Sequence, residues 1–127
     1  MANELILIVE DNEKNRKLAR DVLQFKGYRT IEAATGEDGV KLAMQDKPDL
    51  ILMDYQLPGI DGIEAFRRIR GDVSTAHIPI MAVTASAMPE EAKKMKEAGF
   101  DGFQTKPINV KAFLQAVADV LSAKAAK

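Results

Sequence analysis

The chain has 127 residues and a formal net charge of −1 from 18 basic and 19 acidic side chains, so its charge gives no general reason to expect nucleic acid or an anionic membrane as a partner. Cysteine is absent and histidine occurs once, which excludes disulfides, thiolate metal sites and metal centres built on several histidines. No apolar run approaches the roughly 20 residues that span a bilayer, and the start lacks a basic, signal-like segment, so we expect a cytoplasmic protein with one domain over residues 1–127.

Strand and helix patterns alternate through the first part of the chain. Residues 5–9 are an aliphatic run, too short for a helix, that predicts a strand buried on both faces. The apolar side of the helix that follows consists of Leu18, Ala19, Val22, Leu23 and Phe25. A weaker strand pattern covers residues 29–34, and Thr35 is placed to cap a second helix. The core-facing residues of that helix are Val40, Ala43 and Met44.

The alternation continues through the middle of the chain. Residues 49–53 form a third strand pattern that delivers Asp54 at its end, and Asp61 is placed to cap the next helix. The core-facing residues of this helix are Ile63, Phe66 and Ile69. Its solvated face consists of Arg67, Arg68 and Arg70. A fourth strand pattern covers residues 78–83 and ends at Thr84.

One more helix–strand–helix series completes the chain. Pro89 suits the first turn of a helix that stops at Gly99, and residues 100–105 form a short fifth strand. Asn109 is placed to cap the last helix. The buried stripe of that helix consists of Val110, Phe113, Leu114, Val117 and Leu121. Five strands alternating with five helices predict an α/β fold, a doubly wound, five-stranded parallel sheet with helices on both faces.

Charged and hydroxyl side chains follow four of the five predicted strands, at the edge where open parallel sheets bind ligands. They are Glu10, Asp11, Asp54, Thr84 and Lys106. Three carboxylates at one edge repel one another, so positive charge has to balance them. Lys106 supplies one charge, and Mg²⁺ is the natural hard cation for oxygen ligands. Such a site can bring a phosphoryl group to an oxygen of Asp54, with Lys106 and Thr84 holding the phosphoryl oxygens.

The combination of Glu10-Asp11, Asp54, the turn at residues 57–59, Thr84 and Lys106-Pro107 resembles the receiver domain of bacterial two-component response regulators. The resemblance covers almost the whole chain and extends to single-domain regulators and the receivers of hybrid histidine kinases. It implies the flavodoxin-like strand order 2-1-3-4-5. It also implies a phosphoacceptor signalling module that assists its own phosphorylation and dephosphorylation but is not a turnover enzyme.

By this resemblance, Asp54 accepts the phosphoryl group. The implied Mg²⁺ ligands are Glu10, Asp11, Asp54 and the backbone carbonyl of Gln56. The implied phosphoryl-contacting and switch residues are Thr84, Phe103, Lys106 and Pro107, with a cis peptide before the proline. Two departures stand out, because many relatives have two aspartates where this chain has Glu10-Asp11, and Phe103 lacks the hydroxyl of the commoner tyrosine.

The resemblance also implies partners. A histidine kinase or a histidine phosphotransfer protein would supply the phosphoryl group and dock around Asn15, Leu18 and Ile108. Phosphorylation would shift a pre-existing equilibrium and remodel the surface of the fourth helix, fifth strand and fifth helix for a downstream protein effector. Direct nucleic-acid binding and membrane insertion are not expected.

Other functions on the same fold remain open at this point. A flavin or nucleotide binder would want a Gly/Ser/Thr-rich phosphate loop after the first strand, where this chain has acidic residues 10–13. An aspartate-nucleophile phosphatase would place its nucleophile there in an Asp-x-Asp pattern. The main alternative is an interaction domain with the receiver fold that works without phosphorylation, against which the complete acidic set argues.

Overall fold

The computed structural model describes residues 4–54, 57, 59–84, 89–106 and 109–125. Within them the strands are β1 (Leu5–Val9), β2 (Arg29–Ala33), β3 (Leu50–Asp54), β4 (Ile80–Thr84) and β5 (Gly102–Thr105). The helices are α1 (Glu13–Phe25), α2 (Gly36–Asp46), α3 (Gly62–Arg70), α4 (Pro89–Ala98) and α5 (Val110–Ala125). In this part of the chain no helix combines the length and the apolar character needed to cross a bilayer.

The five strands form one parallel sheet in the order β2-β1-β3-β4-β5. The predicted α/β class and the strand order 2-1-3-4-5 are therefore confirmed. Because all strands run the same way, their carboxyl ends meet at one edge. The order reverses direction between β1 and β3, and that reversal opens the crevice in which such sheets bind ligands.

The core consists of two hydrophobic clusters, one on each face of the sheet. Successive side chains of a strand point to opposite faces, so Ile6 and Ile8 belong to one cluster while Leu7 and Val9 belong to the other. The first cluster is closed by α1 and α5, through Ala19, Leu23, Phe113, Val117 and Leu121. The second is closed by α2 and α3, through Ala43, Ala65, Phe66 and Ile69. Burial on both faces explains why β1 and β3 are uninterrupted apolar runs.

Capping side chains fix where helices begin. The Thr35 hydroxyl accepts a hydrogen bond from the Asp38 amide at 3.1 Å, and the Asp61 carboxylate accepts one from the Glu64 amide at 2.9 Å. Asn109 does the same for α5, where its side-chain oxygen lies 3.0 Å from the amide of Ala112. These three caps agree with the sequence prediction, and each satisfies an otherwise unpaired amide of a first turn.

Four of the five strands differ at their ends from the sequence prediction, and the first of these, β2, ends at Ala33 instead of residue 34. β4 begins at Ile80 because the Ile78 amide donates to the Thr75 carbonyl and so belongs to a turn. β5 begins at Gly102 because the Phe100 amide donates back to the Met95 carbonyl at the end of α4. β3 continues through Asp54, so the carboxylate is carried by the strand itself.

Three residues assigned to the apolar sides of their helices are exposed, and one of them, Leu18 in the middle of α1, is 40% exposed. Phe25 is 87% exposed and Val110 is 46% exposed. Phe25 is the last residue of α1 and Val110 the first of α5. The apolar periodicity therefore overestimates burial at one position within α1 and at one end each of α1 and α5.

Arg67 and Arg68 lie on the solvated face of α3, but Arg70 does not. Its guanidinium donates to the carbonyls of Ala76 and Ile78 at 2.8 and 2.7 Å and to the Asp101 carboxylate at 2.8 Å. It also lies 4.9 Å over the Phe66 ring. The sequence prediction for Arg70 is wrong because this arginine, at the end of α3, satisfies the carbonyls of the loop that leads into β4.

Candidate functional site

The carboxyl ends of four adjacent strands place the predicted site residues beside one another. In the strand registers Val9 lies opposite Met53, Asp54 opposite Val83, and Thr84 opposite Thr105. The next residue after β1 is Glu10, whose amide donates to the Ala33 carbonyl at 3.0 Å and so extends the ladder by one bond. Lys106 follows β5 in the same way. Chain elements far apart in sequence thus meet at one edge.

Lys106 joins two of the acids. Its ammonium Nζ lies 2.5 Å from Oε1 of Glu10 and 3.0 Å from Oδ2 of Asp54. Glu10 is 5% exposed and Asp54 is 6% exposed, so both charges are largely removed from water. A buried carboxylate needs a partner of opposite charge, and here one lysine serves two.

The electrostatics of the site are visible in two pKa values. Burial raises the pKa of Glu10, the contact with Asp54 raises it further, and the bond to Lys106 only partly opposes this. Burial acts to lower the pKa of Lys106, but the carboxylates of Glu10 and Asp54 outweigh it, so the pKa of the ammonium lies above its usual value. Lys106 is therefore a fixed positive charge, while Glu10 is an acid that is costly to ionise without further positive charge.

The acids can hold a metal ion. One carboxylate oxygen each from Glu10, Asp11 and Asp54 lies within 4.8 Å of the other two. Asp11 is exposed while the other two are buried, so the group opens to solvent on one side. Three oxygen donors, together carrying more negative charge than Lys106 neutralises, suit a hard divalent cation that keeps part of its water shell. The donor set therefore fits the predicted metal.

The predicted switch residues Thr84 and Phe103 lie on β4 and β5. Thr84 is 1% exposed, and its backbone carbonyl accepts a hydrogen bond from the Lys106 amide at 2.7 Å. Phe103 is half-buried and lines a surface cavity together with Met95 and Phe100. The two predicted switch residues thus lie on neighbouring strands, with Thr84 bonded through its backbone to Lys106.

The predicted docking residues lie at different depths. Asn15 is half-buried and lines a small cavity with Glu10 and Asp54, whereas Leu18 is 40% exposed. The remaining predicted positions, Gln56, Pro107 and Ile108, lie outside the described residues, and their roles stay predictions.

Two further residues, Asn12 and Arg16, donate hydrogen bonds to Glu10, and neither of them was assigned to the site from the sequence. Asn12 caps α1 through its side chain, and its amide donates to Oε2 of Glu10 at 3.2 Å. Arg16 donates from Nη1 to the Glu10 carbonyl at 3.0 Å. The cap had a signal, since asparagine directly before a helix is a preferred N-cap. The Arg16 contact had none, because no spacing rule links a helix residue to the carbonyl of the strand before it.

Several known proteins are similar to this chain in sequence and in fold. The chain is 40% identical over 116 residues to the polar-differentiation response regulator DivK of Brucella anthropi. The matched region covers 91% of this chain and 94% of that relative. The receiver domain of a sensor histidine kinase from Pseudomonas aeruginosa PAO1, solved with a magnesium ion coordinated in its active-site cleft, matches with a TM-score of 0.88 and 32% identity over 94% of this chain and 98% of that one.

A second solved structure comes from another kinase. The signal receiver domain of a signal transduction histidine kinase from Syntrophus aciditrophicus matches with a TM-score of 0.86 and 30% identity, over 94% of this chain and 91% of that one. The family model of the response regulator receiver domain matches residues 6–118. On the parallel sheet, the acids at its edge and these matches together, the chain belongs to the response regulator receiver domain family of two-component signalling.

Proposed function

We propose that this chain accepts a phosphoryl group on Asp54 from a phosphohistidine of a histidine kinase or histidine phosphotransfer protein, in a reaction that depends on Mg²⁺. The observation that carries the proposal is the buried Asp54 carboxylate, 3.0 Å from the Lys106 ammonium and grouped with Glu10 and Asp11. A nucleophile, a fixed cation and a set of metal ligands are the parts that phosphoryl transfer needs.

In the transfer, an oxygen of Asp54 forms a bond to phosphorus as the bond from phosphorus to the donor imidazole breaks. The bonding electron pair leaves with the imidazole nitrogen, and the product is an acyl phosphate. When bound, Mg²⁺ would be held by Glu10, Asp11, Asp54 and the Gln56 carbonyl, and it would supply positive charge that offsets the carboxylates and the phosphoryl oxygens. Lys106 then exchanges part of its pairing with Asp54 for a charge-assisted bond to the phosphoryl group.

The output is a change of surface shape. Thr84 turns its hydroxyl toward the phosphoryl oxygens and Phe103 follows, which shifts the population of the α4–β5–α5 surface toward the form that a protein effector binds. The direct bond between the Lys106 amide and the Thr84 carbonyl supports this coupling, since it joins the two phosphoryl-contacting residues. The phosphoryl donor docks at Asn15, Leu18 and Ile108, and Asn15 lines a small cavity together with Glu10 and Asp54.

This proposal makes the chain a cytoplasmic signalling protein with no turnover reaction of its own. The acyl phosphate forms once per molecule and is later hydrolysed, so activity means occupancy of Asp54. An effect on nucleic acid would pass through a protein partner. The acidic group at the sheet edge favours this function over an interaction domain that works without phosphorylation.

Incubation with acetyl phosphate and MgCl₂, followed by intact mass measurement, tests the proposal. We expect a gain of one phosphoryl group per chain, its loss on adding EDTA before the donor, and its absence from Asp54→Asn. Asp46→Asn, an exposed aspartate at the end of α2, is the matched control and should be labelled normally. An unlabelled native protein would leave the unphosphorylated interaction domain as the better account, whereas equal labelling of Asp54→Asn would show that another residue accepts the phosphoryl group.

A further inference from the structure

The peptide group between Glu10 and Asp11 joins two of the three acids of the site. Its carbonyl, that of Glu10, accepts a hydrogen bond from Nη1 of Arg16 at 3.0 Å. The amide of Glu10 is held separately by the Ala33 carbonyl at 3.0 Å. Glu10 is therefore anchored at its amide by the sheet, whereas the peptide that leads to Asp11 is anchored by an arginine side chain.

Arg16 is itself held in place. Its Nε lies 3.3 Å from Oε1 of Glu32 on β2, and the two side chains are only 22% and 28% exposed. Arg20, one helical turn later, also reaches Glu32, with Nη1 at 3.3 Å from Oε2. Both arginines thus share one carboxylate, and Arg16 also bonds the Glu10 carbonyl.

We propose that Arg16 is a positioning residue for the metal site: by holding the Glu10 carbonyl, it fixes the direction in which Asp11 presents its carboxylate. The inference rests on the proposed function, in which Glu10 and Asp11 bind Mg²⁺. Groups that orient metal ligands in this way contribute about 10-fold to 100-fold to metal affinity. Asp11 depends on the anchor because its side chain is exposed and because the bonded Glu10 carbonyl belongs to the peptide group that leads directly into Asp11.

The charge of Arg16 and its role as an anchor predict opposite effects on Mg²⁺ affinity when the residue is removed. A guanidinium beside an acidic site repels a divalent cation, so removing its charge alone would strengthen Mg²⁺ binding. Removing an anchor would weaken the binding, because the acids then have to be ordered by the metal itself. The direction of the change therefore separates the two roles.

The experiment measures the affinity for Mg²⁺ alone, by titrating MgCl₂ at constant ionic strength and following backbone amide NMR shifts. We expect Arg16→Ala to weaken Mg²⁺ binding by about tenfold. Arg20→Ala removes an equal charge and another bond to Glu32, and it should bind within twofold of the native protein. Arg16→Lys keeps the charge but carries its N–H donors on a single nitrogen, so it cannot reproduce the separate contacts that Nε and Nη1 make with Glu32 and the Glu10 carbonyl, and its affinity should fall between the two.

Unchanged or tighter Mg²⁺ binding by Arg16→Ala, or equal weakening by Arg20→Ala, would overturn the assignment. If Arg16→Ala fails to fold, as the same NMR spectra would report, Arg16→Lys decides, and native affinity in that variant would count against the anchor. The proposed function fails differently, in a native protein that binds Mg²⁺ but takes no phosphoryl group, and the role of Arg16 would survive that result. A native protein that binds no Mg²⁺ would overturn both.

Discussion

Glu10 affects folding and metal binding in opposite directions. Its carboxylate is buried beside that of Asp54, and its pKa is raised chiefly because burial disfavours the charge. An acid whose pKa is higher in the folded than in the unfolded chain adds stability below the unfolded pKa, and that stability is lost as the pH rises through the folded pKa. At neutral pH, therefore, the ionised Glu10 destabilises the metal-free fold.

Replacing Glu10 by glutamine should accordingly stabilise the metal-free protein at neutral pH. The glutamine side chain resembles the protonated acid and can still accept the bond from the Asn12 amide. The same change should weaken Mg²⁺ binding, since one anionic ligand is lost. Urea unfolding in EDTA and Mg²⁺ titration measure the two effects. Glu13→Gln, at an exposed position in the first turn of α1, should leave Mg²⁺ affinity unchanged, and a less stable Glu10→Gln variant would contradict the argument.

The raised pKa of Glu10 also predicts how metal binding depends on pH. Protons compete with a metal for its carboxylate ligands, so Mg²⁺ affinity should fall on acidification at a higher pH than an ordinary glutamate would give. Mg²⁺ titrations at a series of pH values from neutral to mildly acidic test this expectation. In Glu10→Gln the fall should shift to lower pH. An identical profile in that variant would show that another group titrates.

At the scale of the element, close packing of α2 on the sheet limits which residues it can carry. A Cβ added at Gly39 would lie 2.8 and 2.9 Å from the two Cγ atoms of Val9, at the end of β1. Val9 is 1% exposed and has no room to move. The helix therefore depends on a residue with poor helix propensity at this position.

Gly39→Ala should lower the free energy of unfolding even though alanine favours a helix by about 1 kcal/mol. Overpacking of this kind costs about 1–3 kcal/mol, so a net loss is expected. Chemical unfolding measures it. Lys41→Ala, at an exposed position of the same helix, should change stability by less than about 0.5 kcal/mol. A stabilised Gly39→Ala protein would mean that α2 can move away from β1.

The elements also show where sequence reasoning succeeds. The strands β1 and β3 and the caps Thr35, Asp61 and Asn109 could be predicted because local pattern and local hydrogen bonding decide them. The edge on which the acids gather followed from the parallel topology. Arg70 and Arg16 could not be placed, since their partners lie in other elements. Leu18, Phe25 and Val110 were misassigned because apolar periodicity does not reveal how far the core extends around a helix or toward its ends.

At the scale of the whole molecule, the charges that would bind a cation also affect the stability of the folded chain. Three acids and one lysine meet at the edge where four strands end, so a cation bound there stabilises the contact between those strands. A ligand that binds only the folded chain adds about 2.7 kcal/mol when its concentration is 100 times its dissociation constant. Metal binding should therefore be visible as global stability.

We expect MgCl₂ to raise the melting temperature of the native protein in a saturable way and EDTA to reverse it. NaCl at matched ionic strength should give a smaller, unsaturated change, because it only screens charge. Asp11→Asn and Asp54→Asn should each reduce the Mg²⁺-dependent rise. Equal rises in the native protein and in both variants would place the ion elsewhere on the surface.

Far from the acids, the Asp101 carboxylate accepts hydrogen bonds from Arg70 and from the Ile80 amide, both at 2.8 Å. The same aspartate returns a bond through its own amide to the Ile80 carbonyl at 2.8 Å. This residue pair thus fastens the entrances of β4 and β5, while the opposite edge of the sheet is left to respond to ligands. The Ile80 amide can exchange only after its bond to the Asp101 carboxylate breaks, so we expect its deuterium uptake to report how often the entrances of β4 and β5 come apart.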